Sequence, residues 1–230
     1  MTDCAFQLRH VSKRFTKAKE TITIFEGLDL DIPAEDYVAI MGPSGSGKTT
    51  LLNVLGGIDQ VTDGEVLFNG QRVDTLSESQ LARWRANNIG FIFQFYNLMP
   101  VLTAAQNVEL PLLLTSFNTA ERRRRVEIAL SLVNLSERSG HYPRELSGGQ
   151  QQRVAIARAI VSDPQVLLCD EPTGDLDRSS ADEVLKILKL LNEEHGKTII
   201  VVTHDPEAAA HAKRILHLNK GVFVDRTVLT

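Results

Sequence analysis

Gly42-Pro43-Ser44-Gly45-Ser46-Gly47-Lys48-Thr49-Thr50 fits the phosphate-loop pattern in full, with Gly42, Gly47, Lys48 and Thr49 in register. Before it, the apolar run Tyr37-Val38-Ala39-Ile40-Met41 reads as a buried strand, and after it Leu51-Leu52-Asn53-Val54-Leu55 continues as a helix. The glycines let the backbone bend so that consecutive N–H groups and the helix N-terminus surround the β- and γ-phosphates of a nucleotide. Lys48 adds a point charge, and the Thr49 hydroxyl is set to hold Mg²⁺. A Gly/Ser turn that holds Lys-Thr by chance would not bring both flanks with it.

Outward from this loop, the whole chain bounds what such a site can belong to. Its 230 residues, 43% of them apolar, suffice for one large domain with a full core. A formal net charge of -4 gives no basic field for nucleic acid. The two cysteines, Cys4 and Cys169, are too few for a disulfide framework, which fits a reducing cytosol. Around Cys4 no apolar leader is visible, and no run reaches the about 18–20 apolar residues that span a bilayer. The expectation is a chain soluble by itself.

Residues 5–15 and 21–32 alternate apolar and polar side chains, as half-buried antiparallel strands do. Phe15 closes the first and can offer its ring to a flat base, although an aromatic at a strand end is more often core. Past the loop, Asp63–Phe68 is a short strand with a hairpin turn at Asn69-Gly70, and Ser77–Arg85 is a helix capped by Ser77. Ile89–Phe93 is a strand that ends at Gln94, whose amide can reach a metal or an attacking water at the open edge of a parallel sheet. Residues 103–137 turn helical, with a second helix from Thr119; the Arg122–Arg125 run inside it reads as a solvated helix face.

Three later segments carry chemistry. Ser147-Gly148-Gly149-Gln150 feeds a helix expected from Gln150 to Val161, a second anion site by the logic of the first. Gln165–Glu171 is a buried strand that ends in two carboxylates, which is costly without a partner charge. Asp170 is the candidate metal-side carboxylate, and Glu171 can orient and deprotonate the water that attacks the γ-phosphate. Thr198–Val202 is another buried strand, and His204 at its end can bond the γ-phosphate and the general-base carboxylate. Between these, Thr173–Asp177 turns into an amphipathic helix over 179–194; a helix over Ala208–Ala212 and strands over 214–219 and 222–228 close the chain.

Taken together these residues resemble the ATP-binding-cassette (ABC) ATPases, from about residue 5 to 225. Gly42–Thr49 looks like their Walker A, Gln94 the Q-loop, Leu146–Gln150 the signature, Val166–Asp170 with Glu171 Walker B, Gly174–Asp177 the D-loop and His204 the switch histidine. The resemblance implies an α/β fold: a P-loop NTPase-type sheet core over 1–94 and 162–230, an N-terminal antiparallel β-layer, and a helical subdomain over about 95–161. It implies ATP and Mg²⁺ as bound species, with Phe15 stacking on adenine and Thr49, Gln94 and Asp170 at the metal. Ser147, Gly148, Gly149 and Gln150 would touch a nucleotide held by a second copy, and Asp177 would couple the two sites. The partner implied is a separate integral membrane permease, docked beside Gln94–Pro100, with the chain peripheral on the cytoplasmic face of the inner membrane and no nucleic acid bound.

Within the family, Leu55–Asp59 and Phe93–Leu98 look most like the branch of macrolide exporters, lipoprotein-release and cell-division ATPases. Phe15 stands where Tyr is commoner, Asp175 where Asn is usual in that branch, and Glu35 where Gly is usual. The main alternative is an ATP-gated regulatory module of cell-division type that moves no substrate. A soluble cassette acting on ribosomes or DNA would carry two cassettes or a long coiled-coil insertion, and neither is present.

Overall fold

The computed structural model describes residues 4–17 and 20–224. In chain order the elements are β1 (Cys4–Lys17), β2 (Glu20–Pro33), β3 (Tyr37–Met41), α1 (Lys48–Leu55), β4 (Asp63–Phe68), β5 (Gln71–Arg72), α2 (Glu78–Asn88) and β6 (Ile89–Phe93). Then follow α3 (Ala104–Glu109), a 3-10 turn over Leu110–Leu114, α4 (Thr119–Leu132), α5 (Gly148–Ile160), β7 (Val166–Asp170), α6 (Arg178–Glu193), β8 (Thr198–Val202), α7 (Pro206–Ala209), β9 (Arg214–Asn219) and β10 (Val222–Val224).

Two sheets result. An antiparallel sheet has the order β2-β1-β4-β5, and a second runs β10-β9-β3-β8-β7-β6, in which only β10 is antiparallel to its neighbour. This is the expected α/β core with its β-layer, and between β6 and β7 the described chain is helical. Strand alternation divides the interior in two. Leu167, Cys169, Ile199 and Val201 pack with the helices α3 to α6, while Val166, Leu168, Ile200 and Val202 pack with α1 and the antiparallel sheet. A central strand covered on both faces is apolar over its covered length, which is why Val166–Cys169 of β7 and Ile199–Val202 of β8 read as unbroken apolar runs.

Local chemistry sets the ends of these elements. Asn69 (φ 47°) and Gly70 (φ 76°) form the primed turn that joins β4 to β5, and Lys220 and Gly221 repeat it between β9 and β10. Thr103, Asn118 and Ser147 each accept a hydrogen bond from the backbone N–H three residues on, capping α3, α4 and α5.

Three expectations need correction. Gly148 and Gly149 lie inside the first turn of α5, because the cap is Ser147 and not a residue after the glycines. The last short helix is Pro206–Ala209, earlier than expected, because Asp205 caps it through Glu207 N–H and Pro206 fits its first position. The arginine run is not a uniformly solvated face: Arg122 reaches inward to Glu109 Oε1 (2.9 Å) and Phe117 O (3.0 Å). The part of the final strand expected over 225–228 lies outside the described residues.

Candidate active site

The register of the parallel sheet assembles the site. Phe93 pairs with Asp170, Asp170 with Val202, and Val202 with Ile40 across β8 and β3. The next residues along these strands, Gln94, Glu171, Thr203 and Met41, therefore emerge at one edge, where ligands of open α/β sheets bind. A cavity of about 660 Å³ opens there. Its lining includes Gly42, Pro43, Ser44, Gly45, Gly47, Lys48, Thr49 and Thr50, with Gln94, Asp170, Glu171 and His204.

The loop geometry is that of an anion cradle. Gly47 caps α1 with φ 98°, a conformation L side chains rarely adopt, so the first N–H groups of α1 open into the cavity. Lys48 donates to Gly42 O (2.8 Å) and Pro43 O (3.1 Å), so its charge lies along the loop. Ser46 Oγ is buried without a hydrogen-bond partner among the described residues, and Ser46 is not part of the lining.

Opposite the loop stands a carboxylate pair. Thr49 Oγ1 lies 3.3 Å from Asp170 Oδ1. Burial pushes the Asp170 carboxyl above its ordinary range, Thr49 pulls it back, and the neighbouring Glu171 pushes it further up. A hydroxyl and a desolvated carboxylate are hard oxygen donors that suit Mg²⁺, which takes few protein ligands and completes its shell with water and phosphate. Glu171 sits in the left-handed region (φ 48°), with its N–H held by Val202 O (2.9 Å). Its Oε1 is 2.8 Å from His204 Nδ1, and the His204 N–H points at the other oxygen (3.4 Å). The arrangement joins a glycine-rich loop, a hydroxyl–carboxylate pair and a second carboxylate held by an imidazole.

Gln94 lines the cavity, and its Nε2 donates to Asp175 Oδ1 (3.4 Å). Phe15 is not in the lining: its ring is 41% exposed at the end of β1, with Lys13 Nζ 4.4 Å from the ring centroid. Ser147, Gly148, Gly149, Gln150 and Asp177 are also outside the lining. Gly149 packs against α6 so closely that a Cβ there would lie 2.5 Å from Ser180 Oγ. Sequence reading missed Ile24 and Val202, which supply the apolar part of the wall. Neither carries a motif. Only the register that sets Val202 beside Asp170 would have marked it.

Comparison with known proteins gives the chain its family. The model of the ABC transporter family matches residues 25–174. The macrolide export ATP-binding/permease protein MacB 2 of Aeromonas hydrophila is 48% identical over 96% of the chain, which spans only 34% of that longer protein. The lipoprotein-releasing system ATP-binding protein LolD of Acinetobacter baylyi is 44% identical over 99% of this chain and 100% of its own. Among solved structures, a dimeric post-hydrolysis state of the ATP-binding cassette MJ0796 bound to ADP and Pi superimposes with a TM-score of 0.89 at 41% identity, covering 98% of this chain and 99% of that one. On this family match and these relatives, the chain belongs to the ABC transporter family, as one of its ATP-binding, ATP-hydrolysing domains.

Proposed function

We propose that two copies of this chain close head to tail around two ATP molecules and drive a separate membrane permease of the macrolide-export or lipoprotein-release kind. The observation that carries the proposal is the division of the motifs. Gly42–Gly45, Gly47–Thr50, Gln94, Asp170, Glu171 and His204 line one cavity, whereas Ser147 caps, and Gly148–Gln150 begin, a helix outside it. An anion-binding helix start that does not face its own nucleotide is free to face that of a second copy. A solved cassette of the same fold, matching this chain with a TM-score of 0.89, is dimeric.

In this reading Lys48 and the loop N–H groups hold the β- and γ-phosphates. Thr49, Asp170 and Gln94 would hold Mg²⁺, which when bound neutralises charge on the phosphate oxygens. Glu171 orients the attacking water and takes its proton, and His204 fixes the Glu171 carboxylate and reaches the γ-phosphate. Phe15 offers the ring face opposite Lys13 to adenine. Ser147, Gly149 and neighbouring Gly148 and Gln150 complete the partner copy's site, with Asp177 at the seam.

For the permease, a groove of about 510 Å³ lies between α2, β6 and the 3-10 turn, lined by Phe91, Phe93, Asn97, Pro111 and Leu114 among others. Phe95, Met99, Val101, Leu113 and Leu114 are exposed nearby in the chain, an apolar load that suits a protein partner. Among the described residues no helix is long and apolar enough to cross a membrane.

The test is the oligomeric state of Glu171→Gln by light scattering with and without MgATP. A dimer that appears only with ATP, and is lost on Ser147→Arg, supports the shared site. A monomer at saturating ATP, or a dimer indifferent to Ser147, overturns it.

A further inference from the structure

Helix α5 holds the Gln94 segment at two points. Gln152, fully buried, donates from Nε2 to Phe93 O (3.3 Å) and to Pro172 O (2.6 Å). Six residues further on, about 9 Å along the helix, the Arg158 guanidinium donates to Tyr96 O (2.7 Å) and Asn97 O (2.6 Å). The carbonyls thus held stand on either side of Gln94. Tyr96 (φ 55°) and Asn97 (φ 49°) are consecutive side-chain-bearing residues in the left-handed region. Such a pair persists only where its surroundings over-determine it, and the forked guanidinium fixes both carbonyls at once. The Tyr96 side chain also lies over the start of α5, where a Cβ added to Gly148 would stand 2.9 Å from the Tyr96 hydroxyl.

We propose that Gln152 and Arg158 are positioning residues that lock the segment Phe93–Asn97 to α5, so that Gln94 in one nucleotide site and Ser147 in the other move as a single body. Arg158 and Asn97 also line the groove of about 510 Å³ beside β6. A partner seated there presses on the fork itself. Its load passes along α5 to the Ser147 cap and, through Phe93, to Gln94, without crossing the phosphate loop. This inference rests on the reading of Ser147–Gln150 as half of a shared site.

The experiment compares wild type with Arg158→Met, which keeps the apolar stem and loses both donors. Steady-state turnover, ATP affinity and amide hydrogen exchange over residues 95–98 are measured on the purified chain. Wild-type turnover with ATP-dependent dimerisation is established first, and if either is missing the proposed function fails before this inference is reached. The expected result is kcat reduced about tenfold or more, ATP affinity within about twofold of wild type, and faster exchange at 95–98. Should the Met variant not fold, Arg158→Lys offers one nitrogen in place of the fork and is expected to lower kcat about threefold at unchanged ATP affinity. A kcat equal to wild type in the variant measured overturns the proposal. So does ATP affinity that falls in step with kcat, since that is the mark of a general structural loss.

Discussion

His204 Nδ1 lies 2.8 Å from Glu171 Oε1, so the imidazole and the carboxylate at the sheet edge form one hydrogen-bonded unit. The carboxylate is mostly buried and the imidazole mostly exposed, which makes His204 the member that meets solvent or substrate. Glu171→Gln keeps the shape and loses the carboxylate proposed as the base. Its turnover is expected to fall about 10²–10⁴-fold with ATP still bound, measured by phosphate release and by nucleotide titration. His204→Ala leaves the Glu171 carboxylate without its imidazole partner and is expected to lose turnover with little change in ATP affinity. Unchanged turnover in Glu171→Gln would place the base elsewhere.

Lys48 is held by the carbonyls of Gly42 and Pro43, so its ammonium is positioned before any phosphate arrives. Wild type should gain thermal stability with ATP, by about 2.7 kcal/mol at a hundredfold excess over Kd. Lys48→Ala should show no such gain at the same ATP concentration, by differential scanning fluorimetry. An undiminished shift would mean that the loop N–H groups alone carry the affinity.

Gly149 has no room for a side chain because Ser180 of α6 stands over it. Gly149→Ala is expected to cost about 1–3 kcal/mol, the usual range for overpacking. In a Ser180→Gly background the same change should cost less, since both the Cβ and Oγ of Ser180 make the clash. Equal costs in the two backgrounds, measured by urea unfolding, would refute this account.

Asp177 caps α6 by accepting from Ser180 N–H (3.0 Å) and Ser180 Oγ (2.7 Å), and these bonds hold its carboxyl below the ordinary value of 3.8. A lowered folded-state pKa means that the stabilising contribution is present above pH 3.8 and is lost as pH falls through the folded value. Asp177→Ala should therefore melt below wild type at neutral pH, and the gap should narrow in acid. A gap that is constant with pH would show that the charge on Asp177 plays no part in the cap.

The parts of this molecule legible in its sequence are those whose signal is local. The phosphate loop, the buried strands β3, β6 and β8, and the primed turn at Asn69-Gly70 each depend on residues adjacent in the chain. The caps at Thr103, Asn118 and Ser147 carry the same kind of local signal, an acceptor followed three residues later by Gln or Glu. What sequence did not disclose depends on register and tertiary contact. Ile24 enters the site wall from the antiparallel sheet, Arg122 turns inward to Glu109, and Lys13 covers one face of Phe15. None of these pairings has a spacing to read.

Glu35, in the turn before β3, gives the last prediction. Its φ is 60°, in the left-handed region that glycine enters at no steric cost. The turn is imposed from outside: Glu35 N–H donates to Thr198 Oγ1 (2.8 Å), and its carbonyl accepts from Asn192 Nδ2 (2.9 Å) and Lys213 Nζ (3.1 Å). These bonds use only the backbone, so a glycine keeps them all. Relief of about 1–2 kcal/mol of left-handed strain outweighs the about 0.5–1 kcal/mol by which glycine favours the unfolded chain. Glu35→Gly is therefore expected to stabilise the protein by up to about 1 kcal/mol, read from urea unfolding, with turnover unaltered because the turn lies at the end of β3 opposite the phosphate loop. A destabilised Glu35→Gly would mean that the Glu35 side chain, which packs near Gly196, contributes more than its backbone strain removes.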